Sequence, residues 1–230
     1  MSLLARAFPV LDRVGVDAFA ASMKTRHEEA RSFYARLGVR REAWFFQRCD
    51  KPLVIGVTEV EEPLEERAKV YRDATDPFAE WFKLQIDSLS GVDPKLMPLG
   101  PRSEKVFASS AEPFDHDLPL LVRAYPILSR NAFADLVREL EERRAETEAF
   151  YRRFETRETW FVQETSDGPI GIAVAVLRDA ADQAHLYASD REPFSVWFKQ
   201  RITSVSGVNP NETPLGPRTE LLYEFQARSG

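Results

Sequence analysis

Apolar and polar positions along the chain alternate between two periods. "LLARAFPVL" (Leu3 to Leu11) reads as a strand, and Val16 to about Leu37 as a helix stopped by Gly38. On that helix Val16, Ala20, Met23, His27, Ala30, Tyr34 and Leu37 recur at steps of four and three, which places them on one face. "EAWFFQR" and "PLVIGVTEV" then read as two strands joined by the turn "CDKP". A helical region begins near Pro63 and restarts at Asp76, a suitable N-cap ahead of Pro77. Phe78, Trp81, Phe82, Ile86 and Leu89 give it an apolar stripe, and Gly91 ends it. A short strand through Val106 and Phe107 completes the run.

The same order then repeats. Asp76 to Glu104 aligns without gaps with Glu192 to Glu220, 17 of 29 positions being identical, including "SGV" and "PLGPR". "REAWF" at Arg41 matches "RETWF" at Arg157. Upstream the offset grows by one, so that "RAFP" at Arg6 matches "RAYP" at Arg123, and Phe33-Tyr34 matches Phe150-Tyr151. Residues 1–108 form one copy, 109–119 a polar, proline-containing linker, and 120–230 a second copy. Strand-helix-strand-strand-helix-strand, twice, is an α+β chain of two ferredoxin-like units. In the second strand Trp44 and Phe46 point to one face while Ala43 and Phe45 point to the other. A strand apolar on both faces is buried on both. Helices cover one face, and the expected cover for the other is the partner copy's sheet.

With its DPFxxWF…SGV…PLGP pattern, the duplicated chain resembles the dimeric α/β-barrel superfamily, and within it a bacterial family whose activity the resemblance leaves open. It implies two ferredoxin-like units packed sheet to sheet, here fused into one chain as an internal pseudo-dimer. It also implies a ligand pocket between sheet and helices, as in cofactor-free monooxygenases, cyclases and isomerases acting on small aromatic or polyketide-like molecules. A non-catalytic binding protein or interaction scaffold is the other expectation. Fold alone does not choose between them.

The first helix stripe breaks its apolar rule once in each copy, at His27 and at Arg144. A polar residue on a core face needs a partner or a wet cavity. His27 could serve as a base and Arg144 could hold an oxyanion. The simpler alternative is that His27 bonds a backbone carbonyl and Arg144 reaches outward along its stem. Tyr34, Tyr151, Trp44, Trp81, Trp160 and Trp197 are the aromatic pocket candidates, with core packing as the competing account. Arg6 and Arg123 face a pocket or a salt bridge across the sheet. Pro-Leu-Gly-Pro reads first as a rigid turn, and Gln47 and Gln163 as residues satisfying nearby backbone.

Composition changes this picture little. In 230 residues there are 31 Lys and Arg against 37 Asp and Glu, a net charge of -6 that argues against nucleic acid as a partner. A lone cysteine, Cys49, rules out an internal disulfide and fits a cytoplasmic location. No stretch approaches the roughly 18 apolar residues of a membrane helix. The three histidines His27, His116 and His185 occupy unmatched positions, so neither a metal site nor haem is expected, and no cofactor is implied. The expected partner is a small molecule.

Overall fold

A computed structural model describes residues 1–110 and 118–227. Most of the expected linker 109–119, His116 included, lies outside these residues. The first copy comprises β1 (Ser2–Pro9), α1 (Arg13–Thr25), α2 (His27–Arg36), β2 (Val39–Gln47), β3 (Leu53–Val60), α3 (Leu64–Asp73), α4 (Pro77–Ser90) and β4 (Ser103–Ala108). The second comprises β5 (Leu120–Pro126), α5 (Arg130–Glu142), α6 (Arg144–Arg153), β6 (Arg157–Thr165), β7 (Gly168–Val176), α7 (Ala180–Ser189), α8 (Pro193–Ser206) and β8 (Thr219–Gln226).

The strands form two four-stranded sheets, ordered β1-β3-β2-β8 and β4-β6-β7-β5. Each copy therefore gives its last strand to the other copy's sheet. The chain divides into two compact units that follow the sheets rather than the repeat: unit 1 holds residues 1–103 and 219–230, unit 2 residues 104–218. In unit 1, β8 lies antiparallel to β2, with Trp44 opposite Tyr223 and a register shift between Trp44 and Phe45. Sequence periodicity cannot distinguish this exchange, because β4 and β8 carry equivalent patterns.

Both faces of each sheet are buried. In unit 1, Trp44 and Phe46 join a core with Phe19, Phe33, Phe78 and Phe82 from the helices. On the opposite face Ala5, Ala7, Ala43, Phe45, Ile55 and Val57 are also buried. Trp160 has the matching place in unit 2, among Phe107, Phe133 and Phe198.

The expected single helix over 16–37 is broken at Arg26, and its counterpart at Arg143. Neither break involves Pro or Gly. Instead the Arg26 guanidinium lies 4.1 Å from the Trp81 ring and donates two 2.8 Å bonds to Glu29. Arg143 does the same with Trp197, at 4.2 Å, and Glu146. Cation–π contact and a bidentate ion pair thus hold the bend. Past it the helix presents Ala30, Phe33, Tyr34 and Leu37 inward and turns His27 to the solvent.

The repeated PFxxWFK and SGV segments have structural uses. Lys83 and Lys199 are buried, and each donates to main-chain oxygens at the end of the preceding helix. Lys83 bonds Arg72 O at 3.1 Å and also Ala74 O; Lys199 bonds Ala188 O at 3.3 Å and Asp190 O at 3.0 Å. Those carbonyls have no partner within their own helix. Gly91 and Gly207 end α4 and α8 at φ 68° and 72°, conformations open to glycine.

Strand exchange generates a test. Truncation after Arg218 removes β8 from unit 1, although β8 is remote from that unit in sequence. Leu222 and Tyr223 are buried, and each contributes roughly 1.5–3 kcal/mol by burial. Hydrogen exchange of the truncated chain should show β2 losing protection while β6 and β7 keep theirs. Equal loss in both units, or none in β2, would contradict the exchanged pairing.

Candidate functional site

On β2 the alternation that buries Trp44 and Phe46 under the helices also puts Glu42 there. Arg6 and Phe8 of β1 share this face, as do Gly56 and Thr58 of β3. Tyr34 from α2 and Tyr71 from α3 close over them. Together they line a cavity of about 130 Å³ in unit 1. Its rim includes Pro94, Met97, Pro98, Leu99 and Gly100, so the repeated PLGP turn is a wall of the cavity as well as a turn. Gly100 is needed there. Its φ is 83°, and a Cβ would fall 2.5 Å from the Phe8 ring and 3.1 Å from Arg6.

Unit 2 has an equivalent cavity of about 110 Å³, with Arg123, Glu158, Tyr151, Tyr187 and Trp160 at the matching positions. Arg123, Glu158 and Tyr151 are joined to one another, while the Trp160 indole nitrogen and the Gln183 side-chain oxygen have no hydrogen-bond partner among the described residues. Arg123 Nη2 bonds Glu158 Oε1 at 2.8 Å, and the Tyr151 hydroxyl donates to Glu158 Oε2 at 2.7 Å. The second Arg123 nitrogen donates to Leu215 O in the PLGP turn. Leu215 itself has φ 62°, a left-handed conformation that costs a non-glycine residue about 1 kcal/mol.

Unit 1 arranges the same residue types differently. Glu42 accepts from the Trp44 indole at 2.8 Å and from the Thr58 hydroxyl. Unit 2 has Ala175 where unit 1 has Thr58, both two residues along the strand from the residue opposite the tryptophan (Gly56 and Ala173). Among the described residues Arg6 makes no hydrogen bond or ion pair, although it is only 9% exposed; Glu42 acts on it through charge alone. The Tyr34 hydroxyl, buried near Tyr223 and Glu42, makes no hydrogen bond of ordinary geometry.

The electrostatics follow from this separation. Burial disfavours the Arg6 charge and lowers its pKa to about 10, so it stays protonated at neutral pH. Glu42 keeps some accessible surface because the cavity opens beside it, but the protein crowded around it pushes its carboxyl up to about 7; the Thr58 and Trp44 bonds and the Arg6 charge oppose that rise without cancelling it. Burial also raises Tyr34 and Tyr71 well above the usual phenol range, so both remain neutral donors.

Of the residues singled out in the sequence, Tyr34 and Trp44 line the cavity of unit 1, and Tyr151 and Trp160 that of unit 2. The other four do not enter either cavity. Trp81 and Trp197 are the platforms under Arg26 and Arg143. His27 is 68% exposed beside Glu28, in a surface groove with Lys24, Arg31 and Arg40. Arg144 is half-buried and donates to Ala108 O and Ser109 O, tying down the end of β4. The helix break explains both displacements, since a stripe drawn through an unbroken helix carries His27 and Arg144 inward. Glu42 and Glu158 were missed. Their signal was present: a carboxylate in phase with a buried tryptophan, in REAWF and again in RETWF. Among the described residues no group of three or more His, Cys, Asp or Glu is placed to hold a metal ion, and no helix is long and apolar enough to cross a membrane.

No family model and no curated protein sequence matches the chain significantly. Solved structures do. An anthrone oxidase-like protein is similar over 99% of this chain and 93% of its own, with a TM-score of 0.53 at 10% identity. A "putative monooxygenase" of Fusobacterium nucleatum subsp. nucleatum covers 97% and 93% at 14% identity, TM-score 0.46. Another from Lactobacillus acidophilus covers 97% and 94% at 9% identity, also with a TM-score of 0.46. At these identities the first likeness establishes the fold and nothing about the reaction: the chain is α+β, with two four-stranded antiparallel sheets and their helices.

Proposed function

We propose that the chain binds a small, single-ring aromatic molecule in the cavity of unit 1, with Glu42 as the acid–base group beside it. The observation that carries this reading is an aromatic-walled cavity of about 130 Å³ that holds an acid and a guanidinium not paired with each other. An apolar cavity of roughly 150 Å³ admits benzene, so one ring is the size that this space supports. Trp44, Phe19, Phe33 and Phe82 offer it ring faces and edges. A carboxyl with a pKa near 7 exists in both protonation states at neutral pH, as proton transfer to or from a ligand requires. Removal of a proton from an enolisable or phenolic ring is the step these groups support. It is the chemistry expected of a cofactor-free oxygenase, cyclase or isomerase. The similarity to an anthrone oxidase-like fold is compatible with that class. A purely binding role uses the same cavity without the proton step.

Unit 2 offers no comparable opening for chemistry, because Glu158 is held by Arg123 and Tyr151. One ligand per chain is therefore expected, in unit 1. Gly56 supplies the means to test it. A Cβ there meets nothing closer than Phe8 at 3.7 Å and Glu42 at 3.9 Å, so Gly56→Leu should fill the cavity rather than disrupt the sheet. With ¹⁵N-labelled protein and benzyl alcohol as the probe, the Trp44 indole N–H resonance should shift while that of Trp160 stays put. Gly56→Leu should abolish the shift. Equal movement of both indoles, or a shift that survives Gly56→Leu, would contradict a single site in unit 1.

Glu42 also leaves a mark on stability. Its folded pKa of about 7 lies above the ordinary value of 4.5, so the folded state holds this proton more tightly than the unfolded chain does. The contribution to stability then falls as pH rises from about 4.5 to 7, and the ionisation cost is fully present above 7. Glu42→Gln mimics the protonated side chain. It should raise the melting temperature at pH 8 by several degrees and change it little at pH 5. A gain equal at both pH values would show that ionisation of Glu42 is not the cause.

A further inference from the structure

The two cavities are built from the same residue types but pair them differently. In unit 2 a carboxylate lies between a guanidinium and a phenol: Glu158 receives Arg123 at 2.8 Å and Tyr151 at 2.7 Å. In unit 1 the guanidinium and the phenol are both kept, as Arg6 and Tyr34, but the carboxylate has turned to Trp44 and Thr58. Arg6 is 9% exposed and Tyr34 3% exposed. Arg6 makes no hydrogen bond among the described residues, and the Tyr34 hydroxyl has only a loose contact with the Tyr223 hydroxyl, outside ordinary hydrogen-bond geometry. Burial of unsatisfied donors is unfavourable, and an unpaired buried guanidinium especially so. Both line the cavity of unit 1.

We infer that Arg6 and Tyr34 form a subsite for the carboxylate, or equivalent oxyanion, of a single-ring aromatic acid, and that Glu158 in unit 2 occupies the place that this ligand group takes in unit 1. The inference rests on the binding reading above and makes it narrower. It assigns the ring to the aromatic wall and the anion to the β1 side of the cavity, where Arg6 can donate two parallel bonds and Tyr34 a third. Glu42, held by Trp44 and Thr58, stays free of the anion. In unit 2 the internal carboxylate excludes an external one.

Benzoate and its neutral relative benzyl alcohol separate the two claims, measured by isothermal titration calorimetry on the full chain at pH 6. Benzoate should bind once per chain and about tenfold or more tighter than benzyl alcohol, as expected for charge-assisted bonds to a buried anion. Arg6→Gln should remove that preference and leave benzyl alcohol binding within about twofold. Tyr34→Phe, whose lost hydroxyl gives up only the loose contact with Tyr223, should weaken benzoate several-fold and spare the alcohol. If both probes bind equally, or if Tyr34→Phe leaves the benzoate preference intact, the anion subsite is wrong while the ring-binding cavity stands. If neither probe binds, both readings fall. Two equivalents of benzoate per chain would overturn the role given to Glu158.

Discussion

A carboxylate on the covered face of a four-stranded sheet is the constraint around which both units are arranged. Strand alternation sends Glu42 and Glu158 under the helices together with Trp44 and Trp160, and no local choice of rotamer takes them to bulk water. Ionised carboxylates in such places need a cation, several hydrogen bonds, or a shifted pKa. Unit 2 takes the first course, with a guanidinium and a phenol on the same acid. Unit 1 takes the last, with neutral donors from Trp44 and Thr58 and a carboxyl whose pKa is near 7. The PLGP turn reflects the same difference, since among the described residues only unit 2 bonds its arginine to the turn, at Leu215 O, and only there is the leucine left-handed.

The helix bend belongs to the same system. An unbroken helix over 16–37 keeps one stripe throughout and brings His27 inward. The bend at Arg26 lets Tyr34 and Phe33 turn toward the sheet together, where Tyr34 can face Arg6 and Glu42. Trp81 and Glu29 hold Arg26 in place on the outside. The most visible tryptophan motif in the chain, PFxxWFK, therefore serves the site indirectly: its Trp fixes a bend, and its Lys caps a helix end.

How far the sequence discloses this depends on the kind of information. Element order follows from period, and the structure has it; the duplication is read from identity between the two halves. The exchange of β4 and β8 does not follow, because a strand of given pattern satisfies either sheet equally and only the backbone shows which it joined. Tyr34, Trp44, Tyr151 and Trp160 were readable as cavity candidates because large residues at stripe positions must lie between sheet and helix. His27 and Arg144 misled because a stripe tests only spacing, and the bend that resets the spacing is caused by side chains, Arg26 with Trp81, rather than by Pro or Gly. Glu42 was legible in principle. It stands two residues before a buried tryptophan on a strand, hence on the same face, and its counterpart does so as well. What no pattern discloses is whether each acid meets its arginine, since Thr58 and Ala175 differ by a hydroxyl and a methyl yet direct the two carboxylates to different partners.

Two substitutions on β3 and β7 account for how the two copies come to hold their acids differently. A hydroxyl at 58 gives Glu42 an alternative to Arg6, and Gly56, where unit 2 has Ala173, leaves room above the sheet. Without either, Glu158 has no competing donor on β7 and closes on Arg123. A closed ion pair with a phenol on its other oxygen satisfies the charged groups of unit 2 from within, although the Trp160 indole nitrogen, which gives its hydrogen bond to the acid in the matching Trp44 of unit 1, has no such acceptor here. The open arrangement in unit 1 carries a different burden: a buried guanidinium without an acceptor, a phenol with only a loose contact to Tyr223, and an acid kept near its titration point. A fold tolerates such a combination of unsatisfied groups where something outside the chain completes it. The asymmetry between the copies thus lies in the charged groups, paired within unit 2 and left apart in unit 1, and it is on this difference that the proposed ligand site rests.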